Sequence, residues 1–193
     1  MSLPVRTRRK NKFNFVKEAE RLESFDEFPM LRSEVDPQLH VSRNQVDQPF
    51  HLICEKDCVL AQANGRSRVV FVDGPVRYFD MTPGDFVYVP GRTAHRVLST
   101  EPGVLLRYKA REPGTETMLW LCETCGAELG RDEADATAAP AQVAYAAATL
   151  RFNADDAKRC CGSCGTRHPP VDATHFRWEA VGEALMRAED DGT

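Results

Sequence analysis

Two Cys-x-x-Cys units, Cys122/Cys125 and Cys161/Cys164, each followed directly by glycine, constrain this chain more than any other feature. Such a knuckle turns the backbone so that both sulfurs face one side, while nearby amide N–H groups soften their charge. Two knuckles together complete a tetrahedral thiolate site. Residues 126–160 lie between them, which is tolerable because loop closure costs grow only with the logarithm of length. The expectation is a structural zinc on Cys122, Cys125, Cys161 and Cys164, with iron as the alternative metal and a dithiol redox pair as the alternative chemistry. A redox pair would want one unit at the start of a helix, and two matched knuckles argue against it. The metal's role would be to hold a segment too small to carry its own core. Cys160 falls outside the frame, and His168 is expected at the surface or behind the sulfurs rather than as a ligand.

Seven cysteines without a secretory signal favour metal over disulfides. The first residues, MSLPVRTRRKN, are basic but lack the apolar core of a signal peptide, so a cytoplasmic location is expected. No run approaches the length of a membrane span. With 25 basic and 29 acidic side chains and a net charge of -4, the chain also lacks the basic excess of a dedicated nucleic-acid binder.

The texture changes along the chain. Residues 1–30 read as a tail and a helix, with Phe15, Ala19, Leu22 and Phe25 at helical spacing over Phe13–Phe28 and Pro29 as its stop. Residues 31–113 are short apolar runs separated by Gly65, Asp73-Gly74-Pro75, Pro83-Gly84-Asp85, Pro90-Gly91 and Pro102-Gly103. That pattern predicts a β-sandwich or barrel of about eight strands. Residues 114–170 hold the knuckles, with an alanine-rich excursion between them and a short helix possible over Val143–Leu150. Residues 171–193 form a terminal helix over His175–Ala188 and a tail.

Within the β segment, Gly84-Asp85, Pro90 and His95 keep the spacing of the second half of the cupin signature, and His51 with Gly65 frames the first half. Such a barrel aims two imidazoles and a carboxylate at one ion and leaves positions open for reactants. Here Ile53 replaces the second histidine, and Cys58 stands where the glutamate is expected. The expected barrel ligands are therefore His51, Cys58 and His95. Asp57 or Glu55 are alternatives for the third position, as is no third protein ligand. Fe(II) is the expected ion, with zinc or copper as alternatives suited to a thiolate.

A cupin barrel followed by a rubredoxin-like cysteine pair resembles the bacterial 3-hydroxyanthranilate 3,4-dioxygenases. The pieces that carry the likeness lie in family order: Phe13-Asn14-Phe15, Asn44-Gln45, Gly84-Asp85 through Pro90 to His95, Trp120-x-Cys122-x-x-Cys125-Gly126, and Lys158-Arg159-x-Cys161-x-x-Cys164-Gly165-x-x-His168-Pro169. The resemblance implies a homodimeric, mainly β protein. It also implies a cupin barrel, a small C-terminal metal segment, and a mononuclear Fe(II) that inserts both atoms of O₂ into an aminophenol ring. The departures are as informative. The family's two carboxylate-clamping arginines fall here on Val46 or Asp47 and on Ser99, and its substrate glutamate on Arg107 or Tyr108. A bidentate clamp does not survive loss of both guanidinium groups. The expectation is thus an oxidoreductase acting on a different small molecule, anionic or aromatic, in a specialised biosynthetic pathway, with Arg43, Arg107 and Tyr108 as substrate contacts and Arg92 and Arg96 as further sources of positive charge. The alternatives are a non-oxidative zinc cupin enzyme and a metabolite-binding cupin without a reaction.

Overall fold

The computed structural model describes residues 12–190. Among them nine strands join one sheet that curls into an open barrel. The strands are β1 (Phe28–Pro29), β2 (Gln38–Asn44), β3 (His51–Cys54), β4 (Cys58–Phe71), β5 (Tyr78–Met81), β6 (Phe86–Val89), β7 (His95–Lys109), β8 (Thr115–Leu121) and β9 (Glu128–Asp135). The helices are α1 (Phe15–Ala19), α2 (Ala141–Ala154) and α3 (Trp178–Asp190).

Two long antiparallel strands, β4 and β7, form the spine. The first half of β7 lies between β3 and β4, and its second half lies between β2 and β4. The register shifts between Gln62 and Ser67, where the pair must bend to curl the sheet. Glycine is required there: Gly65 has φ +68°, and a Cβ on Gly103 would lie 2.1 Å from the Asn64 carbonyl oxygen. Strand alternation then divides the faces. Leu52, Cys54, Cys58, Leu60, Val69, Val87, Val89, His95, Val97, Leu105, Arg107, Lys109, Glu116 and Met118 are all buried.

The first helix is shorter than its spacing suggests. Asn14 Oδ1 caps it, accepting from the Val16 amide at 3.0 Å, but after Ala19 the chain turns away. Phe25 (φ 52°) and Glu27 (φ 44°) sit in the left-handed region, at a cost on the order of 1–3 kcal/mol each. Several interactions offset it. The Phe25 amide donates to Asn44 Oδ1 at 3.2 Å and the Glu27 amide to Ser42 Oγ at 2.9 Å, and the turn delivers the Glu27 carboxylate into the barrel.

By contrast, α2 is longer than expected. Gln142, Tyr145, Ala148, Thr149 and Phe152 form its buried face, and alanines elsewhere supply helix propensity without an apolar stripe. Its Gln142 side chain donates to the carbonyls of Asp26 (3.0 Å) and Glu27 (2.7 Å). An aromatic cluster joins these pieces: Phe50 packs on Trp120, Tyr145 and Trp178 at 5.4–5.7 Å, and Trp120 stacks on Phe152 at 4.8 Å.

The barrel interior also holds charge. Glu27 pairs with Arg107 at 2.9 Å and with Lys109 at 2.7 Å, and Lys109 pairs with Glu116 at 2.8 Å. Tyr145 donates to Glu116 and lies 3.1 Å from Lys109 Nζ. Burial pushes the Glu27 carboxyl up, but Arg107 and Lys109 more than reverse this and hold it at about 2, against an ordinary 4.5. Burial, reinforced by Lys109, lowers His40 from 6.5 to about 3.

Both shifts make the fold acid-labile. Below pH 6.5 the unfolded chain takes up a proton at His40 that the folded chain refuses, so stability falls as pH drops toward 3. A second loss, from Glu27, begins below 4.5 and continues toward 2. We expect Glu27→Gln to destabilise the protein at pH 7 by about 3–5 kcal/mol, because it strands the buried Arg107 and leaves Lys109 with Glu116 alone. Urea unfolding of both proteins from pH 7 to about pH 2 checks this. A neutral substitution with unchanged pH dependence would mean that the ion pair does not hold the barrel.

Candidate functional site

The four cysteines of the knuckles meet. Cys122 Sγ lies 3.6 Å from Cys164 Sγ, and Cys125 Sγ lies 3.6 Å from Cys161 Sγ. All four sulfurs fall within 4.8 Å of one another. Sulfurs about 2.3 Å from a zinc ion have tetrahedral edges of about 3.8 Å, so the set fits a thiolate-bound metal. The two halves are built alike. The amides of Gly126 and Gly165, both at φ 74°, donate to the carbonyls of Cys122 and Cys161 at 2.8 Å. The Cys122 and Cys161 amides donate to Ala127 and Thr166 at 2.8 and 2.9 Å. His168 Nε2 stands 3.3 Å from Cys122 Sγ, and Cys160 is exposed.

Inside the barrel, β7 carries His95 and Arg107 on its buried face, with 0% and 1% exposure. His95 Nδ1 lies 3.0 Å from the Thr93 carbonyl oxygen. A carbonyl only accepts, so Nδ1 carries the hydrogen and Nε2 is the bare nitrogen. That nitrogen is 2.8 Å from Arg107 Nη1, which donates to it. The same Nη1 is 4.0 Å from Cys58 Sγ. A guanidinium, neutralised by Glu27, therefore stands where a metal would have to meet His95.

The remaining expected ligands lie elsewhere. On β3 it is Leu52 and Cys54 that face the core, so His51, one residue out of phase, faces the other side of the sheet. Burial, then nearby Arg96, lowers the His51 imidazole to about 4, which keeps it neutral at pH 7. Glu55 and Asp57 sit in the turn between β3 and β4. Glu55 accepts from the Thr115 amide at 3.0 Å, and Asp57 accepts from the Gly91 amide and Tyr88 hydroxyl, both at 2.8 Å. Cys58 and His95 come together; His51, Asp57 and Glu55 do not join them. Among the described residues, only the four knuckle cysteines bring three or more ligand atoms together. The donor set in the barrel does not fit Fe(II).

His51 instead lines a groove of about 500 Å³ where the barrel meets the first knuckle, with Asp47, Arg96, Glu123, Cys122 and Gly126. Val70, Val72, Leu98 and Leu121 supply its apolar wall. Arg96 bridges the Gln48 carbonyl at 2.5 Å and Glu123 Oε1 at 2.6 Å, while Asp47 accepts from the Ser99 amide at 2.8 Å. The three expected substrate contacts do not share a pocket. Arg43 is exposed on β2, Arg107 is committed inside the barrel, and Tyr108, next along β7, points to the opposite face. Arg92 is in a turn at φ 64°. Sequence reasoning missed Glu27, Lys109, Glu116 and Tyr145. The available signal was Arg107 and Lys109 at alternate positions just after the apolar run Val104-Leu105-Leu106 of β7, which puts two cations on one face and calls for buried acids.

No known protein family matches the sequence, and no curated protein matches it. Similar solved structures include hydroquinone 1,2-dioxygenase from Sphingomonas sp. TTNP3 in complex with 4-nitrophenol (TM-score 0.49, 15% identity, 53% of this chain and 33% of that chain). Another is hydroquinone 1,2-dioxygenase PnpCD in complex with Cd2+ and 4-hydroxybenzonitrile (0.44, 17%, 49% and 69%). A third is a cupin-2 domain containing protein from Shewanella frigidimarina (0.44, 13%, 51% and 93%). Among the described residues no helix is long and apolar enough to cross a membrane.

A knuckle segment held together by a metal and a barrel held by its own core should respond differently to mutation. Cys125→Ser is expected to lose zinc and solubility. His95→Ala should stay folded, with its zinc content unchanged. Metal analysis and solubility after expression check the pair; aggregation of both, or of neither, contradicts the division.

Proposed function

We propose that this chain is a small-molecule-binding cupin in which a fixed guanidinium takes the place of a barrel metal, with a structural zinc on Cys122, Cys125, Cys161 and Cys164. The observation that carries this reading is the 2.8 Å contact between Arg107 Nη1 and His95 Nε2. It consumes the one lone pair with which His95 could ligate. A dication at the same place would also be repelled by the guanidinium. The binding surface is the groove of His51, Arg96, Asp47 and Glu123. Arg96 and Glu123 neutralise each other, neutral His51 can donate or accept, and Asp47 leaves one negative charge. The groove therefore suits an apolar or aromatic body with a hydrogen-bond-donating head better than an anionic one, which favours the aromatic of the two ligand classes expected from sequence.

The second reading is an oxygenase related in chemistry to the 3-hydroxyanthranilate dioxygenases, or a zinc cupin acting without oxygen. One observation favours it: Cys58 and His95 are adjacent inside the barrel, as two ligands of such a site would be. It needs a third donor and the displacement of Arg107 from its pairing with Glu27. Fe(II) would then supply redox chemistry with O₂, and zinc would supply Lewis acidity.

Metal analysis of the purified protein before and after anaerobic loading with Fe(II), in wild type and Cys58→Ala, separates the readings. We expect one metal per chain, bound by the knuckles and unchanged by the substitution. Two metals per chain, with the iron lost in Cys58→Ala, would reject the metal-free barrel. For the groove, saturation-transfer NMR against phenols, aromatic amines and aromatic acids should show binders whose signal is lost in His51→Ala; a signal indifferent to His51 would move the binding site elsewhere.

A further inference from the structure

Two buried cysteines outside the knuckles take no part in the groove or the four-cysteine cluster. Cys54 closes β3 and Cys58 opens β4, with residues 55–57 as the turn, and both side chains are buried on the inner face. The two thiols interact with each other, and Cys58 interacts with His95. Arg107 Nη1 lies 4.0 Å from Cys58 Sγ, and Arg107 Nη2 is a buried nitrogen without a hydrogen-bond acceptor among the described residues. The surroundings of the two sulfurs differ. Cys58 has the guanidinium and the imidazole, whereas Cys54 has the Cys58 sulfur, and its backbone carbonyl accepts from the Arg92 amide at 2.7 Å. A cation beside one member of a thiol pair favours that sulfur as the thiolate nucleophile.

We propose that Cys58 and Cys54 form a peroxide-oxidisable dithiol inside the barrel, with Cys58 as the reacting sulfur, Cys54 as the resolving sulfur, and Arg107 and His95 as positioning residues. The oxidant is a small hydroperoxide. The Cys58 thiolate attacks the terminal peroxide oxygen, an S–O bond forms as the O–O bond breaks, and the departing alkoxide (hydroxide for hydrogen peroxide) takes up the proton that Cys58 had released. Cys54 then attacks the Cys58 sulfenic sulfur; the S–S bond forms, the S–O bond breaks, and the hydroxide leaves with the Cys54 proton as water. Two thiols and one hydroperoxide thus give one disulfide, one alcohol or water, and one water, a two-electron exchange. The inference is independent of what the groove binds.

The zinc-loaded protein treated with one equivalent of hydrogen peroxide, alkylated in urea and digested with trypsin without reductant tests this directly. Cleavage after Arg43, Lys56 and Arg66 puts the two cysteines on separate peptides, 44–56 and 57–66, so a disulfide joins them at two hydrogens below the summed mass. We expect that linked species before any zinc is released. In Cys54→Ser a 1,3-dione probe should trap the sulfenic acid on Cys58, and in Cys58→Ser the Cys54 thiol should be recovered alkylated. Recovery of both wild-type cysteines as alkylated thiols at doses that strip the knuckles would overturn the proposal. Oxidation of Cys54 at the wild-type rate in Cys58→Ser would overturn the assignment of roles.

Discussion

A guanidinium fully enclosed in a β-barrel must have a carboxylate, and most of this molecule is arranged to supply one. Leaving a buried charge unpaired costs several kcal/mol, so Arg107 requires Glu27. Glu27 reaches Arg107 only because the chain turns through two left-handed residues after α1. That turn exposes peptide groups to the interior, and they are satisfied from far along the chain. Gln142 on α2 donates to the Asp26 and Glu27 carbonyls, and the Trp178 indole on α3 donates to the Phe25 carbonyl at 2.7 Å. The two C-terminal helices are therefore fixed by the same ion pair that fills the barrel.

The pair also decides what the barrel can hold. Glu27 and Glu116 balance Arg107 and Lys109, so the interior is neutral without any added ion. Placing a dication beside His95 would require moving Arg107, which would leave Glu27 with only Lys109 for compensation. The energetic cost falls on the fold as a whole, not on one side chain. A barrel whose buried charges already pair with one another presents little electrostatic demand for an added cation.

The parts of this arrangement that the sequence announces are the local ones. Each knuckle is complete within six residues, from cysteine to the residue after its glycine, and folds as its spacing requires. The β segment is legible because turn residues and short Val- and Phe-rich runs recur at strand length. His51 shows where such reading fails: on a strand, a one-residue difference in phase exchanges the two faces, and nothing local specifies the phase of a four-residue strand. Arg107 presents the opposite problem. Its partner Glu27 lies far upstream in what the apolar spacing marks as helix, so the ion pair exists only in the folded chain. The alanine-rich excursion became a full helix for a related reason, since tertiary contacts through Gln142, Tyr145 and Phe152 choose its buried face where its own hydrophobic pattern does not.

The groove connects the barrel to the knuckle in a way that neither part shows alone. Cys122, Glu123 and Gly126 belong to the first turn of the four-cysteine cluster, and they also line the cavity that His51 and Arg96 close from the barrel side. A ligand in the groove would touch a surface that exists only while the knuckle is assembled. Anything that binds the assembled form and not the opened one stabilises it by mass action, increasingly as its concentration exceeds its dissociation constant. Occupancy of the groove and assembly of the knuckle are therefore thermodynamically linked, and by reciprocity a metal on the four cysteines would raise the groove's affinity by the same factor.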